Sequence, residues 1–433
     1  MTINYSKYRI LIINGQSINN SNATAITLRN LFKNIPKENL MELCFANSSN
    51  AYLAINSQVF PQRTNILRSL FIKFLNKNNI RDSFNKTIEE DKLSGQYVKA
   101  NRKVQLKEFI ISYLDACPIM FDKKIIKIAK EFKPDIIYTL GGSIMVLKIA
   151  LRFSEYCNCG ILLHFMDNWR DSKYNSCLLF YPRIKLKDLI YEVEHKSKSG
   201  LVISDKMAKE YSSKSGINYY GLMNPADVSN KYNTQIKNSD NKIKIIYTGG
   251  LHLNRYKSLL DVEKVIQNSL ELKNKCILHI YTSENDQYLS GLFDNSVTLF
   301  HKYVPHDKIN DIYNSADILL HIESFDNEQI SFVKYSLSTK ISEYLASGKP
   351  IVCYSPKNIA VYEYIEENSA GYSSSDPIDL SQKLLKLIND PRLREYFGAN
   401  GIETARNKHT TEASLDTLFK AIGENICCTN DKS

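Results

Sequence analysis

Short apolar runs that stop at glycine or a polar loop, each followed by a helical pattern, recur along this 433-residue chain. The first is Tyr8–Asn14, YRILIIN, ended by Gly15; a polar loop and a helical pattern over Ala25–Phe32 follow. Pro134–Leu140 ends at Gly141-Gly142 and leads into a helical pattern over Ile144–Tyr156. Gly160–His164 and Gly200–Ser204 repeat the theme, and Met207–Ser213 reads as the next helix. Runs this short and this uniformly apolar fit strands covered on both faces, as in parallel sheets. The polar stretch Asp227–Lys242 then reads as a linker. A second series starts beyond it with Ile243–Thr248, Gly249-Gly250 and a helix through Val265. Further strands are expected at Cys276–Tyr281, Val297–Phe300, Ile318–His321 and Pro350–Cys353. The pattern predicts an α/β chain of two doubly wound, Rossmann-like domains facing across a cleft. Their expected bounds are 1–228 and 240–408, with a C-terminal helix near 410–425 packing back on the first.

Composition removes other classes. Hydrophobic residues make up 43% and charged residues 24%, too apolar for a disordered chain. Only 16 glycines occur, roughly half the usual ~7%, which excludes collagen-like and glycine-rich sequences and draws attention to each Gly-Gly pair. No run of about 18 apolar residues offers a membrane span. The polar start MTINYSKYRILIINGQ reads as the approach to a strand rather than a signal peptide. Nine scattered cysteines, among them Cys157 and Cys159 in a CxC and the Cys427-Cys428 pair, lack zinc-ligand spacing. Reduced thiols in a cytoplasmic protein are the simplest reading. The net charge of +10 is spread among acids, unlike the clustered footprint of a nucleic-acid binder. It suits phosphorylated substrates or an anionic membrane face. Ile66, Leu67, Leu70, Phe71, Phe74 and Leu75 recur at helical spacing among Arg68, Lys73, Lys77 and Arg81. That segment reads either as a basic helix lying on a membrane or, the commoner case, as a helix packed on its own domain.

The richest stretch runs from Ser338 to Val352, STKISEYLASGKPIV. Ser338 or Thr339 can cap a helix whose free N–H groups and partial positive charge suit a phosphate. Lys340 adds a full charge, and Glu343, three residues on, can accept two ribose hydroxyls. Taken alone, the stretch fits a Lys–Glu pair on a solvated helix better.

The same stretch resembles the C-terminal signature of retaining glycosyltransferases of the GT-B fold, family 4, of the kind that assemble bacterial polysaccharides. Glu343 matches the second Glu of the E-x7-E pattern, which in that family binds the ribose. The residues before it match those that hold the diphosphate. The first Glu falls at Tyr335, a departure that touches the sugar contacts; Glu323, Asp326 and Glu328 are nearby substitutes. Tyr247–Leu251 with Arg255, Tyr256 and Lys257 resembles G-R-L-x-x-x-K-G. Gly250 stands at the family's Arg and Arg255 at its Lys, leaving Arg255 as the one strong cation, with Lys257 assisting. His301–Pro305 with Tyr313, Ala316 and Asp317 resembles the segment that meets the base through its backbone at Tyr303 and Val304. Asp390–Leu393, Gly398, Asn400 and Gly401 match the family's tail. In the first half, Gly15 stands in the first loop as in the family, and His164-Phe165-Met166-Asp167-Asn168-Trp169 resembles H-x-x-D-D-W. Gly141–Ser143 and Asn224-Pro225 are expected in loops of the same cleft.

The resemblance implies transfer of a sugar from a UDP- or GDP-linked donor to a saccharide or lipid-linked acceptor, with retention. It implies donor binding by Gly15, Gly249, Gly250, Arg255, Lys257, Tyr303, Val304, Ser338, Thr339, Lys340 and Glu343. Catalytic roles fall to His164, Asp167, Arg255 and Lys340, with no metal or other cofactor and no nucleic-acid partner. His164 reads equally as a strand-end histidine satisfying local backbone. An Asn-, Ile- and Lys-heavy composition suggests an AT-rich bacterial genome and hence capsule, O-antigen or exopolysaccharide assembly, in the cytoplasm or on the inner membrane face. Two alternatives stay open, a nucleotide-sugar epimerase and a non-catalytic binding protein on the same fold. A nicotinamide dehydrogenase is excluded by the lack of G-x-G-x-x-G.

Overall fold

The computed structural model describes residues 7–15, 17–18, 23–44, 56–59, 109–175, 177–228, 242–305 and 308–430. The basic 66–81 segment and most of the 227–242 stretch lie outside them. The chain divides into two units, residues 1–222 with 415–433, and residues 223–414.

The first unit is built on β1 (Ile10–Asn14), β2 (Leu40–Cys44), β3 (Asn56–Val59), β4 (Ile136–Leu140), β5 (Gly160–Phe165), β6 (Ser199–Val202) and β7 (Asn218–Gly221). They form one sheet in the order β3-β2-β1-β4-β5-β6-β7, and every neighbouring pair is parallel. Ile10 pairs with Leu40 on one side and Ile136 on the other, so the direction of winding reverses beside β1. Both faces are covered, which is why Ile10, Leu11, Ile12 and Ile13 are all buried rather than alternating. The helices between the strands carry their own stop signals. Ser143 caps Ile144–Cys157 by accepting from the Val146 N–H, and Asn158 ends it at φ 51°. Ser204 caps Asp205–Ser215 in the same way, and Gly216 ends it at φ 76°.

The helix Thr411–Asn430 completes this unit from the far end of the chain. Its Leu415, Leu418, Phe419, Ala421 and Ile422 join the core made by Ile10, Ile12, Leu28, Phe32, Tyr138 and Leu162. Asn425 pins it to β6, its Oδ1 accepting from the Lys198 N–H at 2.8 Å and its Nδ2 donating to the Ser199 carbonyl at 3.0 Å.

The second unit is built on β8 (Ile243–Thr248), β9 (Cys276–Tyr281), β10 (Thr298–His301), β11 (Ile318–Ile322), β12 (Ile351–Tyr354) and β13 (Gly371–Ser374). Its sheet runs β10-β9-β8-β11-β12-β13, again parallel throughout. Relative to its own first strand this repeats the order of the first sheet, with the reversal between β8 and β11. One face packs Leu259, Val262 and Ile266 with Leu278, Leu320 and Leu384. The other packs Ile246 and Leu319 with Ile341, Tyr344 and Leu345. The expected Asp390-Pro391 signature is a helix start. Asp390 accepts from the Leu393 N–H, and Pro391 opens the helix Pro391–Lys408, where a missing N–H costs nothing.

Candidate functional site

In an open parallel sheet, ligands settle outside the carboxyl ends of the strands where the winding reverses. In the second unit that place is the end of β8 and β11. β8 runs into Gly249, at φ +139°, and Gly250. A side chain at Gly249 would collide with the Lys340 ammonium, so only glycine allows the two to meet. Lys340 lies in the first turn of the helix Thr339–Ala346 and donates to the Thr248 carbonyl at 2.6 Å. Its Nζ also sits 5.1 Å from the centre of the Tyr247 ring. Burial, with the Arg255 charge assisting, lowers the Lys340 pKa to about 8.

Arg255 opens the helix Arg255–Asn268 after Leu253 and Asn254, both in left-handed backbone at φ 60°. Arg255 is held by a carboxylate that the sequence reading did not assign to it. Arg255 Nε donates to Glu323 Oε2 and Nη2 to Glu323 Oε1, each at 3.0 Å. This two-pronged pair forms because Glu323 directly follows β11 and faces the loop after β8. The two side chains are only 14% and 6% exposed, so the pair is held largely out of water. His321 Nε2 lies 3.2 Å from the same carboxylate. Burial alone would raise the Glu323 pKa, but His321 and Arg255 outweigh it and hold it below the usual range. Arg255 Nη1 lies 3.4 Å from His252 Nε2. Of the carboxylates expected to replace the missing first Glu, Glu323 is therefore occupied by Arg255. Asp326 is engaged by Asn254 at 2.6 Å and Lys257 at 3.2 Å. Lys257 belongs to that surface pair, at 53% exposure.

Glu343 lies on the same helix as Lys340, and its Oε2 accepts from the Tyr313 hydroxyl at 3.1 Å. Tyr344 and Thr248 share a hydrogen bond of 2.9 Å behind it. The fold therefore gathers Gly249, Arg255, Lys340 and Glu343 around one strand end. Ser338 holds the helix N-cap position without a side-chain cap bond, so the expected Ser338 cap is not made. Thr339 is the first helical residue. Tyr303 and Val304 follow β10, two strands from β8, with the Tyr303 ring largely exposed. That loop is anchored by His301, which stacks on Tyr281 at 4.3 Å and shares a 2.8 Å hydrogen bond with His279.

The reversal point of the first unit holds a cavity of about 280 Å³. Asn14, Gly15 and Ser17 line it from β1 and its loop, Gly142 and Ser143 from β4, and Trp169 and Lys173 from beyond β5. A side chain at Gly142 would strike the Trp169 indole, whereas one at Gly15 would meet only Val146 at 3.7 Å. Gly15 thus leaves the cavity wall bare. The loop behind it is fixed by Glu42, fully buried in β2. Its carboxylate accepts from Ser17 Oγ at 2.9 Å and the Ile18 N–H at 2.7 Å. His164 is corrected as a substrate-facing residue. It is fully buried inside β5, with Nδ1 against the Tyr138 hydroxyl, and burial lowers its pKa to about 3. Asp167 is half-buried in the turn after β5, where its carbonyl accepts from the Trp169 N–H. Glu42, Tyr313, Tyr344 and Trp169 were not singled out for roles in the sequence. Tyr313, Tyr344 and Trp169 were present as letters of motifs, while Glu42 had no signal beyond a charge inside an apolar run. Among the described residues, no group of three or more His, Cys, Asp or Glu is placed to hold a metal ion.

Two parallel doubly wound units with these strand orders define the GT-B fold. Within it, residues 265–420 match the family model described as glycosyl transferase-like. Among solved structures, the chain is similar to Anabaena Alr3699/HepE in complex with UDP-glucose. That match has 13% identity and a TM-score of 0.61, covering 96% of this chain and 99% of that one. It is also similar to the lipopolysaccharide outer core galactosyltransferase WaaB, at 11% identity and a TM-score of 0.59, covering 96% and 99%. A point mutant of S. aureus TarM, in complex with fondaparinux, alpha-GlcNAc-glycerol and UDP, matches at 16% identity and a TM-score of 0.50. There the match covers 69% of this chain and 57% of that one. No curated protein matches by sequence.

Proposed function

We propose that this chain moves a hexose from a nucleotide diphosphate sugar to a saccharide or lipid-linked saccharide, as a step in bacterial surface polysaccharide assembly such as capsule or O-antigen. The observation that carries the reading is the convergence of Arg255, Lys340 and Glu343 beside Gly249 at the β8–β11 reversal. The glycosyl transferase-like match and the UDP-glucose complex of HepE support it. As the glycosidic bond breaks, negative charge grows on the leaving diphosphate, and fixed cations in a dry site stabilise it before water reorganises. Lys340, held over Gly249, and Arg255, aimed by Glu323, supply those cations in place of a metal or other cofactor. The Ser338 and Thr339 amides add N–H donors at the same helix start. Glu343, oriented by Tyr313, accepts the two ribose hydroxyls. The Tyr303–Val304 backbone meets the base, UDP being favoured by the neighbours. The acceptor hydroxyl attacks the anomeric carbon on the face the diphosphate leaves, so the new glycosidic bond replaces the sugar–phosphate bond with retention, and the leaving phosphate takes the hydroxyl proton. His164 has no part in this scheme, and Asp167 is left to the acceptor side. The location proposed is cytoplasmic with peripheral contact to the inner membrane face. No helix among the described residues is long and apolar enough to cross a membrane.

Titration calorimetry with UDP-glucose tests the site. Wild type is expected to bind, and Glu343→Ala and Arg255→Ala each to weaken binding by about tenfold or more, the loss of one charge-assisted contact. Unchanged affinity in both variants sinks the transferase reading. Binding without turnover on any saccharide acceptor points to the non-catalytic alternative.

A further inference from the structure

Of the two cations beside Gly249, Arg255 is gripped by both oxygens of Glu323, which offsets much of its charge. Position 250, where the G-R-L pattern has Arg, is glycine. The room beside it is filled by another side chain. A Cβ at Gly250 would stand 2.6 Å from His252 Nδ1 and 3.0 Å from its Cε1, so the imidazole lies where a side chain at 250 would begin. Leu253 and Asn254, both left-handed at φ 60°, turn the chain directly after His252. That turn leaves Arg255 Nη1 3.4 Å from His252 Nε2. Two successive non-glycine residues in this region are strain of the kind that collects at ligand sites. The backbone beneath the ring is pinned from the segment after β9. Asp286 Oδ2 accepts from the Leu251 N–H at 3.1 Å, the Thr282 hydroxyl at 3.0 Å and the Ser283 hydroxyl at 2.9 Å. His252 itself is exposed.

The approach of Arg255 sets the state of the ring. A guanidinium only donates, so the nitrogen that faces it carries the lone pair, and the proton of a neutral imidazole sits on Nδ1. Four charged groups face the ring: Arg255 from the helix that follows it, Asp286 from the segment after β9, Glu323 from the end of β11 and Lys340 from the helix Thr339–Ala346. Loss of water on the packed side of the ring, then the Arg255 charge, lowers the His252 pKa, with Lys340 acting the same way and Asp286 and Glu323 opposing. A diphosphate set against Arg255 and Lys340 reverses that field, because a nearby negative charge favours the charged ring.

We propose that His252 is a further diphosphate-binding residue, neutral in the empty site and protonated when the donor enters, so that donor binding takes up a proton. The proton passes from solvent to Nε2, and the imidazolium donates from Nε2 to a phosphate oxygen. No bond of the donor forms or breaks in this step. The site gains a third cation only when there is a diphosphate for it to face, and that cation is in place as charge grows on the leaving group. The empty site is spared a ring cation pressed against Arg255. The inference rests on the donor reading of this site and adds to it a residue outside the Arg255, Lys340 and Glu343 set.

The test is titration calorimetry of the full chain with UDP-glucose, and separately GDP-mannose, at about pH 7 in two buffers of unlike ionisation enthalpy. The difference in heat between the buffers counts the protons taken up. Neither donor has a phosphate group that titrates there. Lys340, with its pKa at about 8, is already mostly charged and adds only about a tenth of a proton. Wild type is expected to take up about one proton per donor bound, and less toward acid pH, where the free ring is already charged. His252→Gln keeps a polar group that cannot charge. It is expected to lose the uptake and to bind about tenfold more weakly. Uptake that persists in this variant overturns the assignment and places the proton on another group. Wild-type binding with no uptake overturns it too, whether or not the variant folds, and leaves the donor site standing. If wild type binds neither nucleotide sugar, the donor reading falls and this inference with it.

Discussion

Lys340 is the side chain whose chemistry depends most on where it sits. In an unfolded chain its pKa would be 10.5, and burial beside Arg255 brings it to about 8. Between those values the unfolded state binds more protons than the folded one, so the empty protein gains stability as pH rises from about 8 to about 10.5. Donor binding follows the opposite course. An anionic diphosphate prefers the charged ammonium, so affinity is expected to fall above pH 8, by up to about tenfold per pH unit. Lys340→Arg keeps the charge and is expected to flatten both trends, read as melting temperature and UDP-glucose affinity across pH. A donor affinity independent of pH from 7 to 10 in wild type would show that Lys340 does not face the diphosphate. The sequence placed Lys340 and Glu343 on one helix correctly, because both positions follow from helical spacing alone. It could not show that Glu323, 68 residues beyond Arg255, would take both prongs of that guanidinium. Such a pair depends on two neighbouring strand ends, and nothing local encodes it. His164 failed for a related reason. A histidine at a strand end looks the same in sequence whether it faces a ligand or, as here, Tyr138 inside the sheet.

At the level of elements, legibility tracked burial. The central strands β1, β4, β5, β8, β9 and β11 are nearly pure apolar runs and are read from composition within a residue or two. β3, β7 and β13 escaped, being the edge strands NSQV, NYYG and GYSS, where one side lacks a partner and polar residues are tolerated. β2 escaped although it is central, because Glu42 interrupts LMELC. That carboxylate is tolerated since the Ser17 hydroxyl and the Ile18 amide neutralise its demand for partners. Several helix starts are closed by a side chain. Asp376 is one case, accepting from the Ile378 and Asp379 amides at the start of Pro377–Asn389. Asp376→Ala is expected to lower stability by about 1 kcal/mol in urea denaturation while leaving UDP-glucose affinity unchanged. A loss of affinity there would mean that the second unit is coupled to its site more tightly than a remote cap should allow.

For the whole molecule, the presence of two consecutive α/β units was the most legible property, since it needs only the alternation of strands and helices; the shared strand order is seen only in the structure. The place of division was less so. The polar stretch after Asp227 drew attention downstream, whereas the first unit closes at Leu222, and Met223 and Ala226 already pack in the second unit's core. Polarity marks where a chain is solvated, and that need not be where its allegiance changes.

The return of Leu415–Ile422 and Asn425 to the first unit bears on the order in which the protein is made. Residues 223–414 form an uninterrupted stretch and can close their core as soon as they leave the ribosome. The unit synthesised first must wait for the last helix to cover Leu28, Phe32 and Leu162. Maturation therefore runs against the direction of translation. On ribosomes stalled within a C-terminal extension long enough to bring Ser414 out of the exit tunnel, the second unit is expected to resist protease while the first is still cut, and protection of the first should appear only once residue 425 has also emerged.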